Sequence, residues 1–114
     1  MAYSDEIFFK NLEIRDILDK VSDQVYAGAF IPKTILFKNE LDQDVNIDIF
    51  GCSKIDTTTH YKINTLPIVV LANTHSFETL DDYFQCFFLH VKAETVPTTG
   101  QFSSEMLMTS GNGD

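Results

Sequence analysis

The chain has 114 residues and a formal charge of −9 at pH 7, with 8 lysines and arginines against 17 aspartates and glutamates. That length suits one domain, able to bury about two-thirds of its unfolded surface without a disulfide or metal staple. With Arg15 the sole arginine, the acidic balance would repel a phosphate backbone, so nucleic acid is excluded as the expected ligand.

The opening "MAYSDEIFFK" is acidic where a secretory signal needs a basic start, and no apolar run approaches the ~20 residues of a membrane span. The expectation is a soluble protein made in a cytoplasm, with no membrane partner. Ten Phe and no Trp, with aromatics crowded into strand-like runs, favour a mainly β fold.

From Glu13 to Val25, the residues Ile14, Ile17, Leu18, Val21 and Val25 follow the helical period, and Gly28 breaks it. This predicts a short amphipathic helix. The alternative is an extended arm, since "EIFFKNLEI" alternates loosely. Residues 1–31 are therefore expected to form a helix or arm packing on the domain or on a neighbouring subunit. After Pro32 the runs "KTILFKN", "DVNIDIFG", "HYKIN", "PIVVLAN" and "FQCFFLHVKA" are rich in β-branched and aromatic residues, with turn-forming residues between them. These predict an antiparallel β-sandwich, jelly-roll or Ig-like, over 32–108. A disordered tail is expected over 109–114.

In "FQCFFLHVKA", Phe87, Leu89 and Val91 share one face, and Phe84, Cys86, Phe88 and His90 share the other. A strand apolar on both faces is either covered within the chain or lies at a contact with another. Pro97 and Gly100 predict a turn, after which Phe102, Ser104, Met106 and Met108 line one face of a last antiparallel strand.

The residues offer little chemistry. Asp42, Asp44, Asn46 and Asp48 alternate as early ligands of a calcium loop do, but the sixth position is Ile47 instead of Gly and the twelfth is Ser53 instead of Glu. Strand alternation reads them better, with Val45, Ile47 and Ile49 facing the core. His60, His75 and His90 lack the spacing of a zinc site. Cys52 and Cys86 belong to no CxxC and read as two separate thiols, with a disulfide as the alternative. Neither a nucleophile elbow nor a Gly-rich phosphate loop occurs. The expectation is no enzyme, no metal and no cofactor.

"NELDQDVNIDIFGCS" (39–53) and "LHVKAETVPTTGQF" (89–102) together resemble a two-part pattern of small all-β domains in tailed-phage and prophage virion proteins. The sequence departs from it at Asp44, at Cys52 and in the long Phe run. The resemblance implies a non-catalytic minor capsid, decoration or tail-associated component of a virion. Such a component would form a homo-oligomer and bind other virion proteins. Its expected assembly patch comprises Phe84, Phe88 and Phe50, with Ile7, Phe8 and Phe9 on the N-terminal arm; the alternative is that these aromatics fill the domain's own core. Rival readings are a carbohydrate-binding module using Tyr61 and Tyr83, and a small metal-dependent enzyme.

Overall fold

The computed structural model describes residues 3–27, 30–81 and 84–110. In chain order its strands are β1 (Tyr3–Leu12), β2 (Lys20–Val21), β3 (Val25–Tyr26), β4 (Phe30–Asn39), β5 (Val45–Cys52), β6 (Tyr61–Lys62), β7 (Ile68–Val70), β8 (Thr74–Leu80), β9 (Cys86–Ala93) and β10 (Phe102–Ser110). They form two antiparallel sheets. Sheet A has the order β1-β10-β4-β8, and sheet B the order β2-β9-β5-β6, with β3 on β9 and β7 on β5. The protein is mainly β, as its composition predicts.

Period-two patterning places the core between the sheets. Ile35 and Phe37 of β4 and Phe102, Met106 and Met108 of β10 point inward from sheet A; Val45, Ile47 and Ile49 of β5 and Phe87, Leu89, Val91 and Ala93 of β9 point inward from sheet B. All join one hydrophobic cluster, and burying each large member is worth about 1.5–3 kcal/mol. Lys33 is also inward and 1% exposed, its ammonium 5.4 Å from the centre of the Phe87 ring.

No helix occurs among the described residues, which corrects the expected helix over Glu13–Val25. Of its five apolar positions only Ile14 and Val25 are buried, while Ile17, Leu18 and Val21 are 47–65% exposed. Two local causes act together. The Asp16 carboxylate accepts from the Leu18 backbone N–H at 3.1 Å, an Asx turn that competes with helical bonding, and from the Lys20 ammonium at 3.1 Å. The free edge of β9 then takes the backbone of β2 and β3, with Ser22 N–H donating to Leu89 O at 2.9 Å and Ala27 N–H to Gln85 O at 2.8 Å. Residues 3–27 are thus woven into both sheets and do not form an appendage to a body beginning at 32. At the other end β10 runs to Ser110, past the expected boundary at 108. The remainder of the expected tail, 111–114, lies outside the described residues.

Two polar hubs fix the connections. Gly100 has φ +89°, and a Cβ there would lie 1.8 Å from the Glu40 carbonyl oxygen, so both conformation and space demand glycine. The Asp42 carboxylate clamps the same turn, accepting from Thr98 N–H at 2.9 Å, the Thr98 hydroxyl at 2.5 Å and Thr99 N–H at 3.4 Å. These bonds, the Thr98 hydroxyl's foremost, hold its pKa below the usual carboxylate value. Asn39, fully buried, donates through Nδ2 to the carbonyls of Gln43, Val70 and Leu71, each at 3.1 Å. Its Oδ1 accepts from Leu41 N–H at 3.0 Å. One side chain therefore joins the β4–β5 loop to the β7–β8 turn.

Candidate binding surfaces

The outer face of sheet A carries a row of register partners running across all four strands: Ile7 of β1 opposite Glu105 of β10, Glu105 opposite Leu36 of β4, and Leu36 opposite Phe77 of β8. Ile7 is 52% and Phe77 64% exposed, and Leu107 on the same face is 39% exposed. Ile7, Phe9, Leu36 and Phe77 border an open groove of about 530 Å³ that Lys10, Lys38 and His75 also line. Lys38 and His75 each lie 3.9 Å from the Glu40 carboxylate. Burial, reinforced by the carboxylate of Asp5, pushes the Glu105 pKa upward.

β8 is the edge strand beside Phe77. Its seven residues pair with β4 without a register shift and include neither Lys nor Pro. The opposite edge, β1, carries Asp5, Glu6 and Lys10 and has register shifts on both sides of Phe9. Sheet B ends in strands of two or three residues. Charges, bulges and shortness are the usual protections of a sheet edge, and β8 has little of any.

The centre of the outer face of sheet B is covered by its own chain, while Tyr61 and Val69 at its margin are 53% and 54% exposed. Phe50 and Phe88 stack at 5.2 Å, His90 lies 4.7 Å from Phe50, and His60 sits edge-on to Phe88 at 4.6 Å. His60 arrives on a loop organised by Asp56, whose carboxylate accepts from Thr58 N–H at 3.1 Å and from the hydroxyls of Thr58 and Thr59, each at 2.7 Å. The Thr58 hydroxyl bond leads in lowering the Asp56 pKa to about 2. Next to the aromatic stack on the same face, Cys52 and Cys86 are fully buried free thiols, directly opposite each other in the β5–β9 ladder. They are cross-strand neighbours in the ladder and remain two free thiols, as the sequence reading expects. Burial first, then Cys86, pushes the Cys52 pKa up to about 11, so the thiol stays protonated and unreactive.

The expected assembly patch is consequently split and largely covered. Phe88 is 2% and Phe8 5% exposed, so neither presents a surface to another chain. Phe9 leans on Phe102, with ring centres 6.0 Å apart, because the β1 bulge turns it with Phe8 toward the core. Phe84 precedes β9, so strand alternation does not govern it. It packs over Gly51, where a Cβ would lie 2.4 Å from its ring, and edge-on to Phe87. Phe50 is half-buried in the stack. Of the six residues, Ile7 lies on an open apolar face and the partly buried Phe9 borders the same groove.

The acidic series sits on the wet side of β5 and the loop before it, as alternation predicts. Asp44 accepts from Ala72 N–H at 2.8 Å, Asn46 donates to Glu94 at 3.0 Å, and Asp48 accepts from Asn64 at 3.2 Å and lies 3.5 Å from the Lys62 ammonium. His60 and His90 flank Phe88, whereas His75 is on the other sheet. Among the described residues, no three His, Cys, Asp or Glu side chains are grouped to hold a metal. Tyr61 is 53% exposed and stacks on Phe84 at 5.5 Å; Tyr83, its expected partner in a carbohydrate platform, lies outside the described residues. The turn-like "Asn-Thr-His" at 73–75 hides β8. Its remaining signal is the alternation of His75, Phe77 and Thr79.

No family model and no curated protein matches the sequence. Among solved structures, the chain is similar to one titled "Crystal structure of PirA", with a TM-score of 0.53 and 10% identity, covering 94% of this chain and 93% of that one. At that identity the likeness is one of fold.

Proposed function

We propose that the protein acts by binding and not by catalysis, through the outer face and free edge of sheet A, as a structural component of a phage-like virion that self-assembles and binds other virion proteins. The observation that carries the binding surface is the exposed row from Ile7 through Leu36 to Phe77. Exposed apolar side chains occur on sheet B as well, Val21, Tyr26, Tyr61 and Val69 among them, but on strands of two or three residues, while this row crosses a whole sheet to an edge strand of seven.

The strand order supports the jelly-roll form of the sandwich. If β2 with β3, and β6 with β7, are each taken as one interrupted strand, the sheets interleave as two Greek keys do. Jelly rolls occur in viral capsid and lectin domains, so the virion setting rests on this fold-level analogy together with the sequence resemblance.

Native mass spectrometry of three proteins tests the reading: wild type, Phe77→Glu on sheet A, and Val69→Glu, an exposed apolar site on sheet B (54% against 64% for Phe77). The reading expects the wild type to assemble, Phe77→Glu to remain monomeric and Val69→Glu to assemble normally. Assembly lost in Val69→Glu but kept in Phe77→Glu overturns it.

A further inference from the structure

Resting on that reading, we infer that a second copy of this chain is the partner of the β8 edge, pairing antiparallel with Phe77 opposite Phe77 of the second copy, so that two sheets A become one continuous sheet. The hydrogen-bond phase of the ladder gives the register. Glu40 N–H donates to Gln101 O at 2.9 Å, which turns the even-numbered residues of β4 toward β10 and the odd ones toward β8. In β8 the partners of those odd residues are Thr74, Ser76, Glu78 and Leu80. The N–H and C=O groups of His75, Phe77 and Thr79 therefore face outward, and their side chains lie on the outer face with Leu36.

A two-fold axis through Phe77 matches these groups to themselves. His75 meets Thr79 of the second copy, Phe77 meets its own mate, and Thr79 meets His75, closing about six backbone hydrogen bonds. The row of register partners then runs from Ile7 of one copy to Ile7 of the other, with Glu105 its one charged member in each copy. Charge permits the contact: of the chain's 17 acidic residues only Glu78 lies on β8, and this register sets it opposite Ser76. The remaining repulsion between two copies of charge −9 is long-range and screened by salt, so association strengthens as salt is raised.

The test separates this pairing from the broader reading. Thr79→Pro removes an outward N–H without touching the bonds to β4, and Pro is tolerated at such an edge position. It is expected to weaken dimerisation at least about tenfold while the circular dichroism spectrum is unchanged. Independently, Phe77→Cys treated with oxidised glutathione is expected to form a covalent dimer, because opposed residues lie within disulfide reach, whereas Leu107→Cys, two strands from the edge, does not. Covalent dimer from Leu107→Cys with none from Phe77→Cys means that sheets stack face to face; this overturns the edge pairing and leaves the binding face intact. A wild type that stays monomeric at millimolar concentration and high salt overturns the pairing and the self-assembly reading together. Assembly that persists in Phe77→Glu overturns the binding face, and assembly lost in Phe77→Glu but kept in Thr79→Pro, with no covalent dimer from Phe77→Cys, overturns the pairing alone. Should Thr79→Pro unfold, the two cysteine variants still decide.

Discussion

Replacing Asn39 with alanine removes a fully buried amide that serves one N–H and three carbonyls. Its two Nδ2 hydrogens are shared among Gln43, Val70 and Leu71, so the loss amounts to about three hydrogen bonds, each worth about 0.5–1.5 kcal/mol net. Leaving the Leu41 N–H or the Val70 carbonyl without a partner adds about 1–3 kcal/mol, because a small alanine cavity between loops gives water little access. The middle of both ranges, about 3 and about 2 kcal/mol, gives a total of about 5 kcal/mol, a large share of the 5–15 kcal/mol that typically separates a folded domain from its unfolded chain. At about 4 °C per kcal/mol for this size, Tm falls by about 20 °C. Urea denaturation followed by circular dichroism measures the change. Asn39→Asp is the sharper comparison, since it keeps the acceptor for Leu41 N–H but sets a carboxylate against three carbonyls, and should be at least as damaging. A loss below about 1 kcal/mol in Asn39→Ala would refute the assignment of Asn39 as the tie between the two loops.

Gly100→Ala meets the Glu40 carbonyl and a positive φ together, so a loss above about 2 kcal/mol is expected in the same assay; a neutral result would mean that the turn rearranges freely. Phe88→Glu puts a charge between Phe50 and His60 at a site 2% exposed and should unfold the protein by circular dichroism instead of releasing a folded monomer. Because the folded-state pKa of Glu105 is raised above 4.5, its ionisation costs stability above that folded pKa, and the cost vanishes as pH falls below 4.5. Glu105→Gln should therefore raise Tm at pH 7 and leave it unchanged at pH 4, and equal effects at both would contradict the sign.

Much of the fold is legible in the sequence wherever one face of a strand is buried. Val45, Ile47 and Ile49 alternate with polar residues, Phe102, Met106 and Met108 recur at even positions, and all six point inward as written. The helical period at Glu13–Val25 misleads because Ile17, Leu18 and Val21 are solvent-exposed, while the backbone of that segment is claimed by the edge of β9, a partner distant in sequence. β8 escapes notice because its Thr, His, Ser and Glu read as loop, and the turn residue Asn73, at φ 55°, ends where the strand begins. The aromatic patch could not be resolved from alternation alone. Whether Phe50 and Phe88 meet solvent depends on the loop organised by Asp56, which brings His60 across them.

Amide hydrogen exchange along β8, measured at low and high protein concentration, addresses the binding edge directly. The N–H groups of His75, Phe77 and Thr79 face outward in the single chain, whereas those of Ser76 and Glu78 face β4. The account predicts fast exchange at 75, 77 and 79 in dilute solution and protection at those three positions as concentration rises, with 76 and 78 protected throughout. Assembly at high concentration with 75, 77 and 79 still exchanging fast would contradict it.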